Sequence, residues 1–264
     1  MFKKLLILFV SVQLFFTLSA CSTKSRDKEN DDKSIELTIS AAISLNEALT
    51  EIQAEFTKKH PNIHTSLNLA GSGTLQQQII QGAPVDIFIS ASSEKFTELE
   101  KRDLLIKQSK KNLLSNELVL ISNKTSKANF NKFEDLTSPS IKKIAIGTPE
   151  SVPAGMYARQ SLEKLGIWDE VEEKILYAKD VRQVLTYVET GNVDAGIVYM
   201  TEAKSSEKVK IITKADPATH DQIIYPSGII NSSKHVKEAN LFYDFLTSAF
   251  ASEIFKKYGF KVLD

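Results

Sequence analysis

Four stretches place small, hydroxyl-bearing or capping residues where a helix should begin: "ISLNE" (43–47), "GSGT" (71–74), "VPAG" (152–155) and "KDVRQ" (179–183). The first amides of a helix have no carbonyl partner within it, and they sit at the positive end of its dipole. In "ISLNE", Ser44 is followed three residues later by Glu47, the pattern of a capping box. In "GSGT", Ser72 lies between two glycines and the helix is expected from about Thr74. Pro153 occupies a favoured first helical position, ahead of Ala154. Asp180 is a suitable cap for a helix starting at Val181. One capped start binds nothing; several aimed at one point make an anion site that needs no lysine or arginine. Tyr199, near the end of the apolar run "AGIVYM", is either a core aromatic or a hydroxyl donor at the edge of a cleft.

Other chemistries find less support. "GSGT" lacks the glycine-lysine-serine/threonine ending that brings a cation to nucleotide phosphates, and no dinucleotide fingerprint is present. His60 and His64 have helical ligand spacing, but Pro61 and the alternating "NIHTSLNL" predict a turn and a strand, with surface placement for the histidines. No nucleophile, base and orienter fall together, so no catalytic residue, resident metal or cofactor is expected. Lysine and arginine number 33, and so do aspartate and glutamate, which gives no basic field for nucleic acid.

The N-terminus "MFKKLLILFVSVQLFFTLSAC" has two lysines, an apolar run and small residues before the one cysteine, Cys21. It reads as an export signal over residues 1–20, and "LSAC" resembles a lipobox, with Cys21 as the lipidated residue. Polar residues 22–33 are expected to form, with Cys21, a disordered tether. Signal cleavage removes Lys3 and Lys4 and leaves a slight acidic excess. The expected location is the outer face of the cell membrane, held by lipid. With one cysteine, no internal disulfide can brace the exported fold.

The elements that must position the four helix starts follow a βα rhythm from Ser34 onward. "IELTISA" precedes "LNEALTEIQAEF", whose Leu45, Ala48, Leu49, Ile52 and Phe56 share a helical face. "NIHTSLNLA", "LQQQII" and the apolar run "VDIFISA" continue the pattern. A second block runs through "KKIAIGT", "PAGMYARQSLEKLG", "KILYAK", "VRQVLTYVETG" and "AGIVYM", with Gly166 and Gly191 at expected helix ends. The fold class is α/β: two lobes, each a mixed, mainly parallel sheet flanked by helices. "SNELVLISN" and "DQIIYPSGII" are the two crossings. They assign residues 34–116 plus 226–264 to one lobe and 117–225 to the other. Pro226 is expected at a strand end or edge. Each helix start follows a strand, at the sheet edge where open α/β sheets bind ligands.

Taken together, "AAISLNEAL", "GSGTLQQQI", "GAPVDIFISAS", "GTPESVPAGMYA", "DVRQVL", "GIVY" and "EIFKKYGF" resemble, in order and spacing, the periplasmic molybdate-binding proteins of ABC transporters. The resemblance spans residues 35–261. It implies a type II-like periplasmic-binding-protein fold with an oxyanion cleft between the lobes. It further implies that Ser44 and Ser72 each offer a hydroxyl and an amide, Ala154 and Val181 an amide each, and Tyr199 its hydroxyl. The implied ligand is molybdate, with tungstate, and molybdenum enters only as the oxyanion. The implied partner is a membrane permease, and a monomer is expected. Sulfate or another small tetrahedral oxyanion is the alternative ligand. Ile43 stands where a small residue is common, and glycines flank Ser72 where serines often occur. On this reading Ser72→Ala weakens binding and leaves unfolding nearly unchanged.

Overall fold

A computed structural model describes residues 34–263; the signal segment, Cys21 and the tether lie outside the described residues. In chain order the elements are β1 (Ile35–Ala42), α1 (Asn46–Lys59), β2 (Ile63–Ala70), α2 (Ser72–Ile80), β3 (Ile87–Ile89), α3 (Ser93–Lys101) and β4 (Lys111–Ser115). The chain then crosses into β5 (Leu118–Asn123), β6 (Ile144–Gly147), α4 (Pro153–Lys164), the short α5 (Trp168–Val171), β7 (Ile175–Ala178), α6 (Val181–Glu189), β8 (Ala195–Tyr199), the short α7 (Met200–Lys204) and β9 (Val209–Lys214). It returns through β10 (Ile224–Ile229), α8 (Val236–Leu246), α9 (Ala249–Lys257) and β11 (Lys261–Val262).

The strands form two sheets, ordered β11-β4-β10-β3-β1-β2 and β7-β6-β8-β5-β9. Each is mixed. β2, β1 and β3 are mutually parallel, as are β7, β6 and β8, while β4, β10 and β11 in the first sheet and β5 and β9 in the second join by antiparallel pairing. The antiparallel share is larger than the apolar runs alone predict. The parallel halves carry the βα turns, and so the helix starts.

Local sequence explains these helices well. α1 buries Ala48, Leu49, Ile52 and Phe56 on the expected face and ends on Lys58 and Lys59, cations suited to the negative end of the dipole. His60 caps it, and exposed His64 lies in β2, as the turn-and-strand reading of this stretch predicts. Gly166 and Gly191 follow α4 and α6 with φ of 71° and 70°, the left-handed conformation that ends a helix.

Pro226 departs from expectation. It lies inside β10, between β4 and β3, rather than at an edge or strand end. The register against β4 shifts between Tyr225 and Pro226, and this bulge accommodates a residue with no N–H to give the ladder. Its carbonyl remains in use, accepting from the Ser90 amide at 2.9 Å. Ile224 and Tyr225 pair with Ser115 and Leu114, so the second crossing has re-entered the first sheet by Ile224.

Candidate functional site

Two of the four helix starts form differently from the sequence reading. Ser44 lies in a 3-10 turn, Ile43–Leu45, that precedes α1, and Leu45 takes the cap position without a side-chain bond. The capping box therefore does not form, because the extra turn moves Ser44 off the cap. The Ser44 hydroxyl instead meets the Tyr225 hydroxyl at 3.0 Å, and Glu47 pairs with Arg182. In "GSGT" the helix begins at Ser72 rather than Thr74: Gly71 is extended and acts as the cap, and the Ser72 amide is the first of α2. The other two starts agree with expectation. Pro153 opens α4 with Ala154 next, and Asp180 accepts from the Gln183 amide at 2.8 Å, capping the helix that Val181 begins. Tyr199 ends β8, fully buried.

These four starts and Tyr199 converge. Ser44, Ser72, Ala154, Val181 and Tyr199 all line one small cavity between the two sheets, with Ile43 also in its wall. No charged residue lines it among the described residues. Asp180, the nearest carboxylate in sequence, is turned onto its own helix by the capping bond.

The hydroxyls have defined polarity. Ser72 Oγ accepts the Ala91 amide at 2.9 Å, and since an amide only donates, the Ser72 hydrogen is left to the cavity. The Tyr199 hydroxyl has no hydrogen-bond partner among the described residues, and burial, then the neighbouring Tyr225, pushes its pKa well above the ordinary value. A buried hydroxyl left alone costs about 1–3 kcal/mol, so an acceptor in the cavity would be rewarded. Amides in the first turn of α2, α4 and α6 add donors with no carbonyl partner inside their helices. What converges on this small, largely apolar volume is three hydroxyl residues and three helix starts.

The lobes touch around this cavity. Gly73 donates its amide to the Ser151 carbonyl at 2.9 Å, and the Tyr157 hydroxyl donates to the Ala91 carbonyl at 3.3 Å. Arg182, beside Val181, pairs with Glu47 on the other lobe. The glycines flanking Ser72 allow this approach: a Cβ on Gly71 would lie 2.7 Å from the Ser151 carbonyl oxygen, and one on Gly73 would lie 2.7 Å from Ser151 Cα. The sequence reading marked them only as standing where serines often occur, whereas the structure shows them as the surface on which the second lobe rests. Tyr225 was also missed, since nothing local in "IIYPSG" ties it to Ser44, 181 residues away.

A larger hollow lies beside the crossings, lined by Asn116, Glu117, Lys214, His220 and Lys261 among others. Glu117 is held there by Lys214 and Lys261, whose hydrogen bonds keep its carboxyl below the usual range. Both lysines are spent on that carboxylate.

The geometry separates two substitutions. Tyr199→Phe removes a hydroxyl with no partner among the described residues, so it should leave unfolding unchanged or slightly raised. Ser72→Ala strips the buried Ala91 amide of its acceptor and should cost about 1–3 kcal/mol. This corrects the expectation that Ser72→Ala spares stability. Denaturant unfolding checks both, and equal midpoints for the two variants would contradict it.

The profile of the bacterial extracellular solute-binding protein family matches residues 37–261. A Bacillus subtilis protein named as an ABC transporter substrate-binding lipoprotein is 46% identical over 260 residues, covering 98% of this chain and 99% of its own. The molybdate-binding protein ModA of Haemophilus influenzae is 35% identical, covering 86% of this chain and 90% of its own. The solved substrate-binding domain assigned to a molybdenum ABC transporter of Clostridium difficile superposes with a TM-score of 0.68 at 43% identity, over 88% of this chain and 100% of that one. With its two mixed sheets and the small cavity between them, the chain belongs to the bacterial extracellular solute-binding protein family.

Proposed function

We propose that this protein captures molybdate, and also tungstate, outside the cell and hands it to an ABC permease in the membrane. The observation that carries this reading is one small cavity that gathers the hydroxyl residues Ser44, Ser72 and Tyr199 and the starts of α2, α4 and α6, with no charged side chain in its wall. The ligand set is the hydroxyl and amide of Ser44 and of Ser72, the amides of Ala154 and Val181, and the Tyr199 hydroxyl. The names of the relatives point to the same ligand.

The physical fit is direct. A tetrahedral dianion presents only acceptors, so hydroxyl and amide donors in an otherwise apolar wall satisfy it. Each hydrogen bond to a charged group contributes about 1.5–3 kcal/mol, and the positive ends of three helices add to it. Desolvating the dianion and closing the lobes offset much of that sum. Hydrogenphosphate carries a proton that needs an acceptor, and the nearby carboxylates are spoken for: Asp180 by its own cap, Glu47 by Arg182 and Glu202 by Thr201. The reading includes no reaction and no resident cofactor. It also includes a lipid on Cys21 that keeps a monomeric protein at the outer face of the membrane.

Calorimetric titration of the detergent-solubilised full chain with molybdate, tungstate, sulfate and phosphate tests the ligand. The expected order places molybdate and tungstate ahead of sulfate, with phosphate last. Sulfate binding more tightly than molybdate overturns the proposal.

A further inference from the structure

Ser44 has a harder task than Ser72. Its oxygen meets another hydroxyl, that of Tyr225, and either group of such a pair can be the donor. If Ser44 spent its hydrogen on Tyr225, it would present a lone pair to the cavity and repel an anion. The surroundings of Tyr225 decide the matter. Asn116 donates from Nδ2 to the Tyr225 oxygen at 3.2 Å and to Thr201 Oγ1 at 3.1 Å. Its amide orientation is fixed, because Oδ1 accepts the Glu117 amide at 2.9 Å. Thr201 in turn donates to Glu202 Oε2 at 3.0 Å, leaving its own oxygen to accept from Asn116.

With the Tyr225 oxygen accepting from Asn116, the Tyr225 hydrogen has Ser44 Oγ as its acceptor. Ser44 then accepts, and its own hydrogen is left for the cavity. We propose that Asn116 and Tyr225 are positioning residues that fix Ser44 as a donor, and so help the site select fully deprotonated oxyanions over protonated ones. The inference rests on the oxyanion reading above and deepens it. The relay gathers Asn116 from the first crossing, Tyr225 from the strand that ends the second, and Ser44 from the first βα turn. Ser44, Tyr225, Thr201 and Glu202 are buried, and Asn116 is half-buried at the edge of the hollow beside the crossings.

Coupling to Ser44 is the test. Affinities for molybdate and for inorganic phosphate are measured on the full chain for wild type, Tyr225→Phe, Ser44→Ala and the double variant. Tyr225→Phe should lower molybdate affinity about tenfold in the Ser44 background and less than about twofold in the Ser44→Ala background. It should also narrow the preference for molybdate over phosphate, since a released Ser44 lone pair can accept the proton of hydrogenphosphate. A merely structural loss would weaken both anions alike.

Asn116→Asp gives a second reading independent of the tyrosine. It keeps the acceptor for the Glu117 amide but turns the Nδ2 donor into an acceptor, which draws the Tyr225 hydrogen away from Ser44. Its added charge acts in both backgrounds, whereas the relay acts only when Ser44 is present, so a larger loss with Ser44 is expected. Equal losses in the two backgrounds, for both variants, overturn the relay while leaving the molybdate reading intact. Absence of wild-type molybdate binding overturns the functional reading, and the relay with it.

Discussion

Gly73→Ala is expected to weaken molybdate binding by about 10- to 100-fold while the protein melts no lower than wild type. The new Cβ would lie 2.7 Å from Ser151 Cα, 2.9 Å from its carbonyl oxygen and 3.0 Å from the Glu150 carbonyl oxygen. All three are backbone atoms of the opposite lobe, so no side chain can swing aside. Overpacking of this kind costs about 1–3 kcal/mol, and here the cost falls only on the form in which the lobes touch. Within its own lobe the substitution is favourable, because Gly73 sits in the first turn of α2 and alanine is the better helix former. Affinity and stability should thus move in opposite directions. Calorimetry paired with thermal unfolding of the ligand-free protein measures both, and wild-type affinity in this variant would show that binding does not need the close approach of Gly73 to Ser151.

Gly155→Ala is expected to have the larger effect on folding. A Cβ there would lie 1.9 Å from the Gly147 carbonyl oxygen and 2.4 Å from its carbonyl carbon, where α4 crosses the end of β6. Contact between helix and strand backbones leaves no room for it. A loss of about 3 kcal/mol, or about 6–12 °C in Tm, should follow. Because Ala154 precedes it, any retreat of α4 also carries an amide away from the cavity, so molybdate affinity should fall as well. An unchanged melting curve would mean that α4 moves off β6 at little cost.

What the sequence made legible was local. Pro153 and Asp180 set their helix starts through their own backbone preferences and short-range bonds, and each does in the structure what its position predicts. The two-lobed α/β fold followed from βα periodicity and the family resemblance. The convergence of Ser44, Ser72, Ala154, Val181 and Tyr199 on one cavity rested on the resemblance, since spacing alone does not say which helix starts will face each other. What the residues concealed was non-local. Ser44 reads as part of a capping box because Glu47 follows at the right distance, yet both side chains are claimed by residues far along the chain, Tyr225 and Arg182. Pro226 reads as an edge marker because a regular ladder cannot hold it, and the bulge that makes it tolerable depends on pairing with β4. The glycines of "GSGT" suggest flexibility, when the controlling fact is the backbone of the other lobe.

The uncharged wall of the cavity has a consequence for the medium in which the protein works. Mobile ions weaken attraction between separated charges over a screening length of about 8 Å at physiological ionic strength, and more strongly in brine. They have little effect on donors in direct contact with an acceptor inside a closed volume. An oxyanion held by amides and hydroxyls, rather than by lysines or arginines, is gripped nearly as firmly in salty surroundings as in dilute ones. Chloride, however abundant, finds no loose cation there to occupy.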